Sequence, residues 1–171
     1  MEKVFKEAEG TLSALENLFS NFSAKQVNEV PFAGSWTAGQ LASHLIMANG
    51  GFVEVINGPT TETNKPADIM VESIKNDFLN FNVKFDSPEF IYPENKEYDR
   101  AELLAKLKQI RNHVAEVITT LDLTKTCTAF ELPVYGFLTR LEAVYFIIYH
   151  TQRHTRQLKN IYSKLDTADF N

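Results

Sequence analysis

"TRLEAVYFIIYHTQRHTRQLKNIYSK", residues 139–164, runs without a proline or a glycine. Val144, Ile147, His150, His154, Leu158 and Ile161 recur along it at steps of three or four, the period of one helix face. Thr139 and Glu142 open it as a capping box, in which hydroxyl and carboxylate each satisfy a backbone N–H of the first turn. Arg153, Arg156, Lys159 and Lys164 load the second half with positive charge, favourable at the negative end of the helix dipole. Such a helix must bury its apolar stripe against partners, so the fold depends on what else the chain can pack against it.

Three further stretches supply those partners. Residues 2–22 carry Phe5, Ala8, Leu12, Leu15, Phe19 and Phe22 at helical spacing, before "FSNFSAKQVNEVPFAG" breaks the pattern with Pro31 and Gly34. A second helix starts in "SWTAGQLASHL", residues 35–45. Thr37 and Gln40 form its capping box, and Trp36 and Leu41 are placed for the accompanying hydrophobic staple. Its stripe reads Leu41, His44, Leu45, Ala48, Phe52 and Val55. Gly50 and Gly51 weaken it by about 1 kcal/mol each relative to alanine, and mark a kink or a close approach of another backbone. A third helix starts at Asp99, with Glu102 completing a capping box, and presents Leu103, Leu107, Ile110, Val114, Val117 and Leu121.

The connections differ in kind. Residues 58–98 contain Pro59, Pro66, Pro88 and Pro93, with room for one short helix in "ADIMVESIKNDFLNF". A link of this length leaves helices two and three free to run parallel. In "DLTKTCTAFELPVYGF" the segment "CTAFEL" reads as extended, but one short segment makes no sheet. The expected architecture is all-α, a four-helix bundle forming one domain over residues 1–171.

Composition narrows the function. The 171 residues carry a formal net charge of −5, which argues against a nucleic-acid partner because such proteins present a basic face. Cys127 is the single cysteine, so no intrachain disulfide can form. The acidic, amphipathic N-terminus is no secretory leader, and no apolar run approaches the roughly 20 residues that span a bilayer. A cytoplasmic protein with no membrane partner is expected.

The histidines carry the chemistry. His150 and His154 lie about 6 Å apart along the helix axis and point where the isoleucines point. His44 holds the equivalent position in the second helix, between Leu41 and Ala48. A lone inward histidine is ordinarily a core residue with one hydrogen bond. Three of them are costly to bury without a common solution, and a divalent metal is one. His113 lies off the stripe of Ile110, Val114 and Val117 and reads as a flank residue. The chain has no H-E-x-x-H, no glutamate three residues before a histidine, no glycine-rich phosphate loop and no G-x-S-x-G. Nothing near Cys127 suggests an activated nucleophile.

"SWTAGQLASHL" and "YHTQRHTRQLKNI", taken in this order, resemble the two signature segments of the DinB/YfiT-like metalloenzymes. The resemblance covers nearly the whole chain. It implies a left-handed bundle in up-down-down-up order, with a metal on three histidines, one from the second helix and two from the fourth. These fall on His44, His150 and His154. It further implies frequent homodimers, and activities that include thiol-dependent transfer and an isomerisation using low-molecular-weight thiols.

Three neutral imidazoles leave coordination positions open, as catalytic sites do. Neutral nitrogen donors suit zinc, nickel, copper and iron, so the donor type does not choose the ion. Zinc or nickel is expected, with manganese or iron as further candidates. The expected function is a metal-dependent transferase or hydrolase acting on a small molecule; the alternative is a catalytically silent bundle with a structural or vestigial site. Gln157, one turn beyond His154, is a candidate for orienting a water or substrate. Glu54 and Glu131 are the nearest candidates for a general base.

Overall fold

The computed structural model describes the backbone of residues 1–168 and the side chains of residues 1–166. Its helices are α1 (Glu2–Ser20), α2 (Ala24–Asn28), α3 (Ala38–Asn57), α4 (Val71–Phe78), α5 (Arg100–Thr120) and α6 (Arg140–Ala168). The long helices α1, α3, α5 and α6 form a four-helix bundle. Both α1 and α3 pack on α5 and α6, so the two stand diagonally across it.

Contacts between helix ends fix the directions. Arg100, at the start of α5, donates from Nε to the Phe22 carbonyl just beyond the end of α1 (2.6 Å), so these two helices are antiparallel. Arg140, at the start of α6, donates to the Ile56 carbonyl near the end of α3 (2.8 Å), which makes that pair antiparallel too. The Phe22 and Tyr162 rings meet edge to face with centroids 4.9 Å apart, bringing the ends of α1 and α6 together. The order is up-down-down-up.

Capping chemistry places the helix starts. Thr37 and Gln40 exchange both bonds of their box, at 3.1 and 3.0 Å. Thr139 and Glu142 do the same at 3.1 and 2.8 Å. The second oxygen of the fully buried Glu142 accepts from the Met70 amide at 2.8 Å, and the Thr139 hydroxyl donates to the Ala67 carbonyl at 2.6 Å. One capping box thereby anchors α4 to the start of α6.

Several local expectations need correction. The first helix ends at Ser20 rather than Phe22, because Ser23 and Gln26 form a capping box that opens the unanticipated α2. Asp99 caps α5 by accepting from the Glu102 amide, but Glu102 turns to Lys106 at 2.5 Å and leaves the box half made. The glycine pair marks no close approach, and α3 continues through it as one helix. A methyl at Gly50 would meet only Ile110 at 3.5 Å, and one at Gly51 nothing within 4 Å. The close approach is at Gly39, where a Cβ would stand 3.0 Å from Tyr98 Cβ and from the Val27 carbonyl oxygen. A small sheet does form, because Thr60–Thr61 in the long connection pairs antiparallel with Thr126–Cys127.

The core divides in two. Ile56, Val114, Ile118, Ile147 and Ile148 belong to one cluster, and Leu15, Phe19, Leu41, Leu45, Leu158 and Ile161 to the other. Polar contacts cross the bundle between them. Arg111 bonds Glu9 and stands 2.9 Å from Glu16, Gln152 donates to Thr11 at 3.2 Å, and Asn49 donates to Thr151 at 3.1 Å. Polar side chains that must find partners fix the register of helices that apolar stripes alone would let slide. His44, His150 and His154 lie at this level.

Candidate metal centre

α3 supplies His44 and α6 supplies His150 and His154, and antiparallel packing of the two helices brings them together. His150 Nε2 lies 3.3 Å from His44 Nε2 and 3.1 Å from His154 Nε2, and the three ligand atoms fall within 4.8 Å of one another. Two nitrogens on one tetrahedral ion, each about 2.05 Å from it, stand about 3.3 Å apart. The spacing suits a shared ion.

Hydrogen bonds orient two of the rings. His44 Nδ1 lies 3.0 Å from the Ile91 carbonyl oxygen and 3.4 Å from the Ser87 hydroxyl. His154 Nδ1 lies 3.0 Å from the Gln157 side-chain oxygen. With each Nδ1–H donating outward, both Nε2 lone pairs turn toward His150. His150 Nε2 carries at most one hydrogen and cannot serve both, while its buried Nδ1 has no partner. Lone pairs aimed at one another repel. A cation among them reverses the sign of that interaction, so the donor set fits a metal.

The electrostatics agree. Burial is the main cause lowering His44, against a smaller opposing pull from the Ile91 carbonyl. His150 falls well below the usual histidine value through burial, then through its two histidine neighbours and Arg153. His154 falls to about 3, chiefly by burial and then by His44, with Gln157 opposing. The rings are therefore neutral at pH 7 and keep the lone pairs that metal ligation requires.

Aromatic side chains wall the site. Trp36 stands 5.2 Å from His44, Phe146 stacks on His150 at 5.5 Å, and Phe78 meets His150 edge-on at 5.8 Å. The connection between α4 and α5 adds Ser87, Ile91 in a short 3-10 turn (Glu89–Ile91), and Tyr92 against Trp36 at 5.4 Å. Arg153 holds that connection down, donating to the carbonyls of Phe78, Asn80 and Val83 while its guanidinium lies 4.9 Å from the Phe85 ring centre. His44 and His150 are buried, whereas His154 is half-buried beside the exposed Gln157.

The other sequence candidates fall elsewhere. Glu54 is on the rim of a groove of about 500 Å³ between α3 and α5, with His113, Ile46 and Ile110, and contacts none of the three histidines. Glu131 is exposed near a hairpin tip. Cys127 is buried in the small sheet, and burial raises its thiol pKa, which suits an inert residue. Ser87, Ile91 and Arg153, with the aromatic walls Phe78, Tyr92 and Phe146, are contributors to the site that sequence reasoning missed. A backbone carbonyl leaves no mark in the sequence, and Arg153 looked like one of several cations late in the helix.

A family model described as the DinB superfamily matches residues 7–158, a span that contains all three histidines. The chain belongs to the DinB superfamily. Its fold is also similar to the crystal structure of TT2238, described as a four-helix bundle protein. That match has a TM-score of 0.57 at 18% identity and covers 93% of this chain and 98% of that one. No curated protein matches this DinB-superfamily chain in sequence. Among the described residues, no helix is long and apolar enough to cross a membrane.

Proposed function

We propose that His44, His150 and His154 hold a divalent transition metal and that the chain is a metal-dependent enzyme, a thiol-dependent transferase or a hydrolase acting on a small molecule. The observation that carries this reading is the convergence of three neutral Nε2 atoms, two of them oriented by the Ile91 carbonyl and by Gln157. A nitrogen-only donor set suits zinc, nickel or iron better than manganese, and zinc or nickel is the ion to load first. The ion supplies Lewis acidity toward an oxygen or sulfur atom of the small molecule.

The chain's own residues do the rest. Trp36, Phe78 and Phe146 exclude water from the buried side and keep the local dielectric low. The half-buried edge of His154 beside Gln157 is the side from which a small molecule enters. The Gln157 oxygen serves His154, which leaves its amide hydrogens for an incoming ligand. The expected setting is cytoplasmic, with a low-molecular-weight thiol as co-substrate and a homodimer as the assembly to test; neither nucleic acid nor membrane is an expected partner.

One observation favours the silent alternative. The buried Nδ1 of His150 has no hydrogen-bond partner, although a metal-binding histidine almost always donates its second ring N–H to a carboxylate, a carbonyl or a water. Turnover decides between the two. Protein loaded with zinc or nickel is assayed against panels of thiol-transfer and ester or amide hydrolysis substrates, beside His154→Ala. Activity lost in the variant supports the enzyme; a loaded, folded protein inactive across both panels supports the silent site.

A further inference from the structure

Residues 80–86, which lead from α4 toward the histidines, are all exposed. Among the described residues their only backbone-to-backbone bond is the local one from the Val83 amide to the Asn80 carbonyl, at 3.3 Å. A stretch with so little burial and so few ladder bonds has its path fixed from outside. Arg153 of α6 fixes it. Its Nη1 donates to the carbonyls of Phe78 and Asn80, both at 3.1 Å, and its Nη2 donates to that of Val83. The guanidinium also covers Phe85 at 4.9 Å, and Phe85 in turn stacks on Phe78 at 5.5 Å.

Two residues beyond Phe85 the chain reaches a ligand. Ser87 Oγ lies 3.4 Å from His44 Nδ1, and the Ile91 carbonyl oxygen lies 3.0 Å from the same atom. Between them, Pro88 opens the 3-10 turn Glu89–Ile91, and the Ile91 amide closes it on the Pro88 carbonyl at 3.2 Å. The ring of Pro88 stiffens that turn, so a shift at Phe85 carries through Ser87 to the Ile91 carbonyl. A carbonyl only accepts, so this bond keeps the His44 hydrogen on Nδ1 and leaves the Nε2 lone pair facing His150. The far side of the turn is held by Tyr92 against Trp36 and by the buried Pro93. Arg153 holds the near side.

We infer that Arg153 is a positioning residue for the metal centre: by fixing residues 78–85 it keeps the Ile91 carbonyl on His44 Nδ1. The helix that carries His150 and His154 thereby sets the tautomer and the aim of the ligand on α3. This rests on the metal-site reading above and extends it, because the affinity of the site then depends on a side chain that grips the carbonyls of the connection rather than the ion.

The test compares wild type, Arg153→Gln and Arg153→Lys in two ways. Proton–nitrogen correlation NMR of the metal-free proteins reads which nitrogen of His44 carries the hydrogen, and titration with cobalt(II) reads affinity from the visible spectrum. The wild type is expected to hold the hydrogen on Nδ1. Arg153→Gln should show a mixture of both tautomers and bind cobalt about tenfold more weakly. Arg153→Lys keeps the charge but loses the planar fork that spans several carbonyls, and should fall between them. Phe85→Ala removes only the half-exposed ring under the guanidinium, so the fold survives it; it should shift the tautomer the same way and weaken cobalt binding about threefold. A side chain that merely stapled a loop would lower the urea midpoint and leave both readouts where they were. A wild-type hydrogen on Nε2, or either readout unmoved in the folded variants, would overturn the inference. A wild type that develops no cobalt spectrum would overturn the metal-site reading instead, and the tautomer of the metal-free protein would still decide the role of Arg153.

Discussion

Acid should destabilise the metal-free protein through the histidines, and the size of the effect follows from their burial. His154 titrates near 3 in the fold, against about 6.5 in an unfolded chain. Below pH 6.5 the unfolded state therefore binds a proton that the folded state refuses, and stability falls as pH falls. The cost is absent above pH 7, grows through the window from 6.5 down to about 3, and then levels off once both states are protonated. At pH 5, integrating the linkage for His154 alone gives a loss of about 2 kcal/mol relative to pH 7.5. His150 and His44 are lowered in the same direction and add to it. The assay is urea unfolding of chelator-treated protein at several pH values from 7.5 to 5, in parallel with His154→Leu. The variant removes one of the titrating rings, so the gap between the two stability curves should change by about 2 kcal/mol across that range, in the variant's favour at low pH. Parallel curves would show that the histidine group is hydrated and protonates freely, contrary to the packing described here.

Other consequences lie away from the histidines. Glu142→Ala strands the amides of Met70 and Thr139 in a buried setting, and chemical unfolding should register a loss of about 2–4 kcal/mol, with Glu142→Gln retaining part of it. Val134 has φ +76° just after Pro133, in a turn closed by the Tyr135 amide on the Leu132 carbonyl, and the residue is 94% exposed. A β-branched residue is strained there, so Val134→Asn should stabilise by about 1 kcal/mol, seen as a rise in Tm of roughly 2–4 °C. Gly39→Ala forces a methyl against Tyr98 and the Val27 carbonyl and should cost about 1–3 kcal/mol. Gly51→Ala meets nothing and should instead gain about 1 kcal/mol of helix propensity; thermal melts of the pair should move in opposite directions.

Periodicity and capping boxes were legible in the sequence because they are local. Thr37 with Gln40, and Thr139 with Glu142, are short-range signals, and each marks a helix start in the structure. The histidine group was legible for a related reason: three inward positions on two stripes left few ways to satisfy their nitrogens, and antiparallel packing brought them together. What stayed hidden depends on residues far apart in the chain. Thr60–Thr61 becomes a strand only because Thr126–Cys127 lies beside it. The second oxygen of Glu142 finds its donor at Met70, and His44 finds its acceptor at Ile91, across connections that show no periodicity. Gly50 and Gly51 misled in the other direction, since a glycine pair signals backbone freedom whether or not the fold uses it.

The central claim is a metal on three histidines, and metal content tests it most directly. Tag-free protein is loaded with zinc or nickel, freed of excess ion by gel filtration and analysed by mass spectrometry, with folded His44→Ala and His150→Ala treated identically. About one equivalent of metal per chain in the wild type, lost from both variants, is the predicted result. A wild type that leaves the column without metal, or variants that retain it in full, would contradict the account.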